Sequence, residues 1–250
     1  MNNVKRLMIK DLNHSFEQKT VLQDINIELQ QGAVMAVVGR SGCGKSTLLN
    51  LISGLIEVEG GDIVNDFMTT AILFQEPRLL PWKNTIENIG WGLKALGVCH
   101  RERELIASEL AMEVGLEHDD LEKYPHELSG GMKQRVAMAR SFAVKPELLL
   151  MDEPFSALDI GLKEDLYSLL INEIEQRELT VLFITHDIME AVRLADQILV
   201  LDDNPGRQVY TYQCDKPRAE RQQEYWYTTA MNLLQKEVVN RAFQIRGNND

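Results

Sequence analysis

The sequence predicts an α/β fold in which a mostly parallel sheet is covered by helices. Two observations carry this. Short apolar runs at Ala33–Val38, Thr70–Phe74, Leu148–Met151, Val181–Ile184 and Ile198–Leu201 have the length and composition of strands. Between the later runs, apolar residues recur at helical spacing, as in Leu158, Leu162, Leu166 and Leu170. Strands that alternate with helices pair in parallel, because each helix carries the chain back across the sheet.

The elements follow in chain order. Leu7–Leu12 and Asp24–Leu29 alternate in part, with Ile25, Ile27 and Leu29 on one face. Ala33–Val38 is continuously apolar, as a strand covered on both faces must be. A helix is expected from Lys45, through Leu48, Leu49, Leu51 and Ile52, to a stop near Gly54. From Trp82 to about Arg140 the period is helical (Ile86, Ile89, Leu93, Leu96, Leu105, Leu110, Met112, Leu116), so a helical insertion is expected there. After Asp215, Lys216-Pro217-Arg218 reads as a linker and Glu224–Val239 as a helix that packs back, dimerises or regulates. The expected organisation is one domain over 1–215, with helices over about 82–140 inserted in it, and an extension over 216–250.

The formal net charge is −12, which disfavours a general phosphate-backbone binder. Eight acids against three bases fall in His100–Pro125, and eight against two in Asp152–Glu178. No apolar run approaches the ~20 residues of a membrane span, and Met1–Lys10 has no signal-peptide core. The chain is therefore expected in the cytosol, with any membrane role supplied by a partner. Cys43, Cys99 and Cys214 are far apart, so neither a disulfide framework nor a structural zinc site is expected.

Gly39-Arg40-Ser41-Gly42-Cys43-Gly44-Lys45-Ser46-Thr47 matches the G-x-x-x-x-G-K-[ST] phosphate loop between a strand and a helix. Its glycines let backbone N–H groups wrap phosphate oxygens, and the helix start adds its positive end. Lys45 would reach the β- and γ-phosphates, and the Ser46 hydroxyl would bind Mg²⁺. Asp152 and Glu153 end an apolar strand; Asp152 would hold Mg²⁺ through water and Glu153 would act as general base. Phe16 reads equally as a purine-stacking ring or as core. Gln75 would touch Mg²⁺ or the attacking water, and His186, after the strand Val181–Ile184, the γ-phosphate. Ser129-Gly130-Gly131 opens another helix, either as an ordinary N-cap with flexible glycines or as a second anion-binding end that one copy does not need, which would cap the γ-phosphate of a second copy in a two-fold dimer.

With GRSGCGKST (39–47), FQE (74–76), LSGGMKQRVAMAR (128–140), LLLMDEP (148–154), SALD (156–159) and TH (185–186), the sequence resembles the ATP-binding subunits of ABC transporters over roughly residues 5–215. The resemblance implies a P-loop NTPase core with an N-terminal antiparallel β subdomain and an α-helical insertion. It implies ATP and Mg²⁺ as ligands, and transmembrane permease subunits, a second copy and, indirectly, a substrate-binding protein as partners. The site would be the cytoplasmic face of the inner membrane. Phe16 matches the adenine-stacking aromatic, where the family often has Tyr; Gln75 matches the Q-loop, Asp159 the D-loop and His186 the switch histidine. Phe74–Trp82, Thr85–Ile89 and the turn Asp203–Arg207 resemble the nitrate/sulfonate/taurine importer branch, a pattern shared with importers of a thiamine-precursor pyrimidine. Glu57–Ala71 is shorter than is usual in the family, so a strand or hairpin there is expected to be trimmed. Leu79, Leu80, Pro81 and Trp82 read equally as a groove for a permease helix or, for Trp82, as core.

A soluble ABC ATPase acting on nucleic acid would need a coiled-coil insertion or a second nucleotide domain, and neither is present. A P-loop kinase would leave Ser129-Gly130-Gly131 and His186 unexplained. A regulator without catalysis fits poorly with Lys45, Asp152, Glu153 and His186 together. Alkylation of Cys43, inside the phosphate loop, is expected to block ATP binding.

Overall fold

The computed structural model describes residues 4–156 and 158–244. The first residues of the N-terminal segment, Ala157 of SALD and the last six residues of the expected extension lie outside these. The chain divides into two units, Met1–Phe67 with Thr180–Asp250, and Met68–Leu179.

Among the described residues of the first unit, seven strands run in the order β4-β1-β2-β9-β8-β3-β7. They are β1 (Arg6–Phe16), β2 (Lys19–Gln30), β3 (Val34–Val38), β4 (Gly60–Asn65), β7 (Thr180–Thr185), β8 (Gln197–Asp202) and β9 (Gly206–Gln213). The N-terminal strands are antiparallel: β1 pairs β2 on one side and β4 on the other. β8, β3 and β7 are parallel, β2 and β9 also pair in parallel, and β9 runs antiparallel to β8. Every residue of β3 is buried, as its unbroken apolar run requires. The segment expected to be trimmed keeps one strand, β4, whose residues are mostly exposed. Without a buried face it leaves no alternation to read.

Helix α1 (Lys45–Ile52) follows β3, and α7 (Ile188–Leu194) follows β7. The described residues of the tail form two helices, α8 (Gln223–Gln235) and α9 (Glu237–Phe243), separated at Lys236, where a single one is expected. Lys236 has extended dihedrals (φ −67°, ψ 126°) that break the helical run. Both helices pack back on the first unit, α8 against α7 and α9 against β8 and β9.

The second unit pairs β5 (Thr70–Leu73) and β6 (Leu148–Asp152) in parallel. Its helices are α2 (Thr85–Ile89), α3 (Trp91–Ala95), α4 (His100–Glu113), α5 (Gly130–Ala143) and α6 (Ile160–Arg177). Between Trp82 and Arg140 the described residues form helices, turns and loops with no strand, as the helical period predicts. Phe142 and Phe155 are fully buried in this unit, and Phe155 meets Tyr167 edge-on at 4.6 Å. No helix among the described residues is long and apolar enough to cross a membrane.

Candidate functional site

The residues singled out by the sequence fall in both units. In the first unit the loop after β3 turns through Gly42 and Gly44, at φ +84° and +99°, conformations an L side chain rarely adopts. At Gly44 a Cβ would also crowd a Leu22 methyl at 2.7 Å and the Val21 carbonyl oxygen at 3.1 Å. Helix α1 starts at Lys45 with no side-chain cap and no acid in its first turn. That start differs from α5, α6 and α7, where Ser129, Asp159 and Asp187 each accept at least one N–H of the first turn. An uncapped helix start below a glycine loop presents donors to an anion. Lys45 is buried, and its Nζ donates to the carbonyl oxygens of Gly39 and Arg40, each at 2.8 Å. Ser41 and Ser46 are exposed, and Thr47 is half-buried.

Phe16, at the end of β1, is 49% exposed, which removes the core reading. His14, two residues earlier and so on the same strand face, meets it edge-on at 4.7 Å. His186 is exposed where β7 ends. The turn that presents it is held by Thr185, whose hydroxyl donates to Glu190 at 2.7 Å and accepts the Asp187 N–H at 3.0 Å.

In the second unit, β6 delivers Asp152 and Glu153, both half-buried. Glu153 has φ +44°, a sharp turn out of the strand. Gln75, just past β5, donates through Nε2 to the Glu153 carboxylate at 3.3 Å. Two candidates separated by 78 positions thus touch, because β5 and β6 are parallel neighbours. The Ser129 hydroxyl accepts the Met132 N–H at 3.2 Å, so it serves as an N-cap, with Gly130 and Gly131 in the first turn of α5. A Cβ on Gly131 would crowd Leu162 at 3.1 Å. Asp159 is exposed and caps α6 through the Leu162 N–H.

Two residues without an assigned role turn out to organise this group. Buried Gln134 of α5 donates to the Pro154 carbonyl at 3.0 Å. Arg140, on the same helix, donates to the carbonyls of Pro77 and Arg78 at 2.7 and 2.9 Å. One helix therefore tethers both the loop after Glu153 and the loop after Gln75. Both residues stand in LSGGMKQRVAMAR, but their partners lie 20 and about 60 positions away, beyond what spacing reveals.

Cys43 is buried, and burial pushes its thiol above the ordinary range. A raised pKa means less thiolate at a given pH, hence slower alkylation. The expected block by thiol reagents therefore needs the loop to open first. At neutral pH, exposed Cys99 is expected to alkylate well before Cys43, and mass mapping of the modified peptides checks the order. Equal rates would contradict the buried placement.

The ABC transporter family model matches residues 22–156. The aliphatic sulfonates import ATP-binding protein of Corynebacterium glutamicum is 40% identical, over 91% of this chain and 92% of that one. The taurine import ATP-binding protein of Escherichia coli O157:H7 is 41% identical, over 80% of this chain and 81% of that one. A solved dimeric ATP-binding cassette in a post-hydrolysis state, bound to ADP and Pi, superposes with a TM-score of 0.77 at 27% identity, covering 84% of this chain and all of that one.

Proposed function

The chain belongs to the ABC transporter family and is an ATPase of its import type, and from that premise we propose that it drives uptake of a small sulfonate-like solute through separate permease subunits. The observation that carries the reading is the uncapped start of α1 beneath the Gly42–Gly44 turn, with Lys45 folded into the loop.

In this reading the loop Gly39–Thr47 holds the ATP phosphates, with Lys45 as the charge that neutralises them. The proposed Mg²⁺ donors, the exposed Ser46 hydroxyl and the Asp152 carboxylate with Gln75, are all oxygens, which suits a hard cation. Bound Mg²⁺ would offset charge on the transferring phosphoryl group. Glu153 takes a proton from the attacking water, oriented with Gln75 and His186. Phe16 stacks on adenine. Ser129, Gly130, Gly131 and Asp159 face the nucleotide of a second copy, so binding of ATP closes a dimer and hydrolysis reopens it. Residues 1–215 form the working domain and 216–250 an extension, at the cytoplasmic face of the inner membrane beside a substrate-binding protein's permease.

The sulfonate class is tested by taurine-uptake assays in cells carrying the transporter with and without this subunit. Uptake that does not depend on the subunit would overturn the substrate class and leave the ATPase assignment standing. Trp82 is 67% exposed, which is against its reading as core and is what a residue meeting a permease helix requires. Trp82→Ala is expected to uncouple uptake while the isolated chain keeps its ATPase rate and its melting temperature. A lost fold would restore the core reading.

A further inference from the structure

We propose that Asp203 is a positioning residue for the phosphate loop, acting through Arg40. The inference rests on the reading of Gly39–Thr47 as the nucleotide loop. Arg40 Nη1 donates to the Asp203 carboxylate at 3.0 Å, across 163 positions of sequence. Asp203 is itself fixed, since its N–H donates to the Asp202 carboxylate at 2.9 Å.

The strand ends that flank the turn, Leu201 of β8 and Gly206 of β9, touch the loop at two further points. A Cβ on Gly39 would lie 2.6 Å from the Leu201 carbonyl oxygen, and one on Gly206 would lie 2.1 Å from that of Cys43. The loop backbone thus rests on the β8 and β9 strand ends on either side of Arg40-Ser41-Gly42. The Arg40 carbonyl is also one of the two oxygens that hold the Lys45 ammonium. Asp203 therefore fixes the side chain of the residue whose backbone aims Lys45.

The pair is 39% and 22% exposed at its two side chains, so it adds little to folding and its effect falls on geometry. It also has a sign. Asp203 is an acid at the edge of an anion site, tolerable there because Arg40 neutralises it. Removing Arg40 alone leaves that acid facing the phosphates, whereas removing both takes the repulsion away.

The test is a double-mutant cycle on the full chain, read as MgADP affinity by titration calorimetry. Asp203→Ala is expected to weaken binding about three- to tenfold, and Arg40→Ala to weaken it more. The double variant should bind no more weakly than Arg40→Ala. Asp203→Asn, which keeps the shape, replaces Asp203→Ala if that protein fails to fold. Additive losses, or wild-type affinity in the Asp203 variants, would overturn the proposal. Lys45→Ala separates the two readings. Wild-type affinity there would sink the nucleotide loop itself. Loss of binding there beside intact Asp203 variants would sink this inference alone.

Discussion

Glu153→Gln is expected to cut ATP hydrolysis by about 10²- to 10⁴-fold while leaving nucleotide affinity near that of the wild type. The substitution removes the basic carboxylate and little else. Glutamine has the same shape and retains a carbonyl oxygen to accept the Gln75 Nε2–H, which now reaches the Glu153 carboxylate at 3.3 Å. It also meets the same φ of +44° with a side chain of the same branching as glutamate. Lys45, Ser46 and Asp152 are untouched. A step that fails only in chemistry leaves its ground state populated, so this variant should accumulate as an ATP-bound dimer. Light scattering with and without ATP reads the dimer, and phosphate release reads the rate. Turnover at the wild-type rate would remove Glu153 as the base.

How much of this was readable in the sequence follows from how local each feature is. The buried run of β3, the glycine loop and the start of α1 are contiguous, and each residue there answers to one constraint, so they could be read directly. The helical stretch after Trp82 shows its period for the same reason. Strand β4 has almost no buried face and so no pattern. The exposure of Trp82 and Phe16 depends on what the fold does not place over them, which composition cannot tell. The contacts that hold the candidate residues in place are long-range: Gln134 to Pro154, Arg140 to Pro77, Arg40 to Asp203. A motif names the residues that touch the ligand. The side chains that aim them come from wherever the fold brings a partner.

The tail gives the second large effect, on stability. Arg221 reads as one more charged residue after a linker, yet it is 5% exposed. Its Nη1 donates to the carbonyls of Val192 and Ala195 at 3.0 and 2.6 Å, and its Nε to that of Lys216 at 2.8 Å. The first two oxygens belong to the end of α7 and its cap, where the last carbonyls of a helix lack partners within it. Its Nη2 lies 3.6 Å from Asp196, which Arg218 also reaches at 2.5 Å. Arg221→Met keeps most of the volume and removes every donor. Asp196 keeps Arg218 and is not stranded, so the loss comes from the buried carbonyls. The expected cost is about 3 kcal/mol, which for a chain of this size lowers the melting temperature by roughly 10 °C. Arg221→Lys should recover only part of it, because an ammonium cannot fork to three carbonyls. Thermal unfolding of the three proteins measures the order. Well below the transition, MgADP affinity should match the wild type, since nothing in the phosphate loop has changed. A melting temperature unmoved in Arg221→Met would mean that the tail does not hold α7, and that its helices rest on the first unit without supporting it.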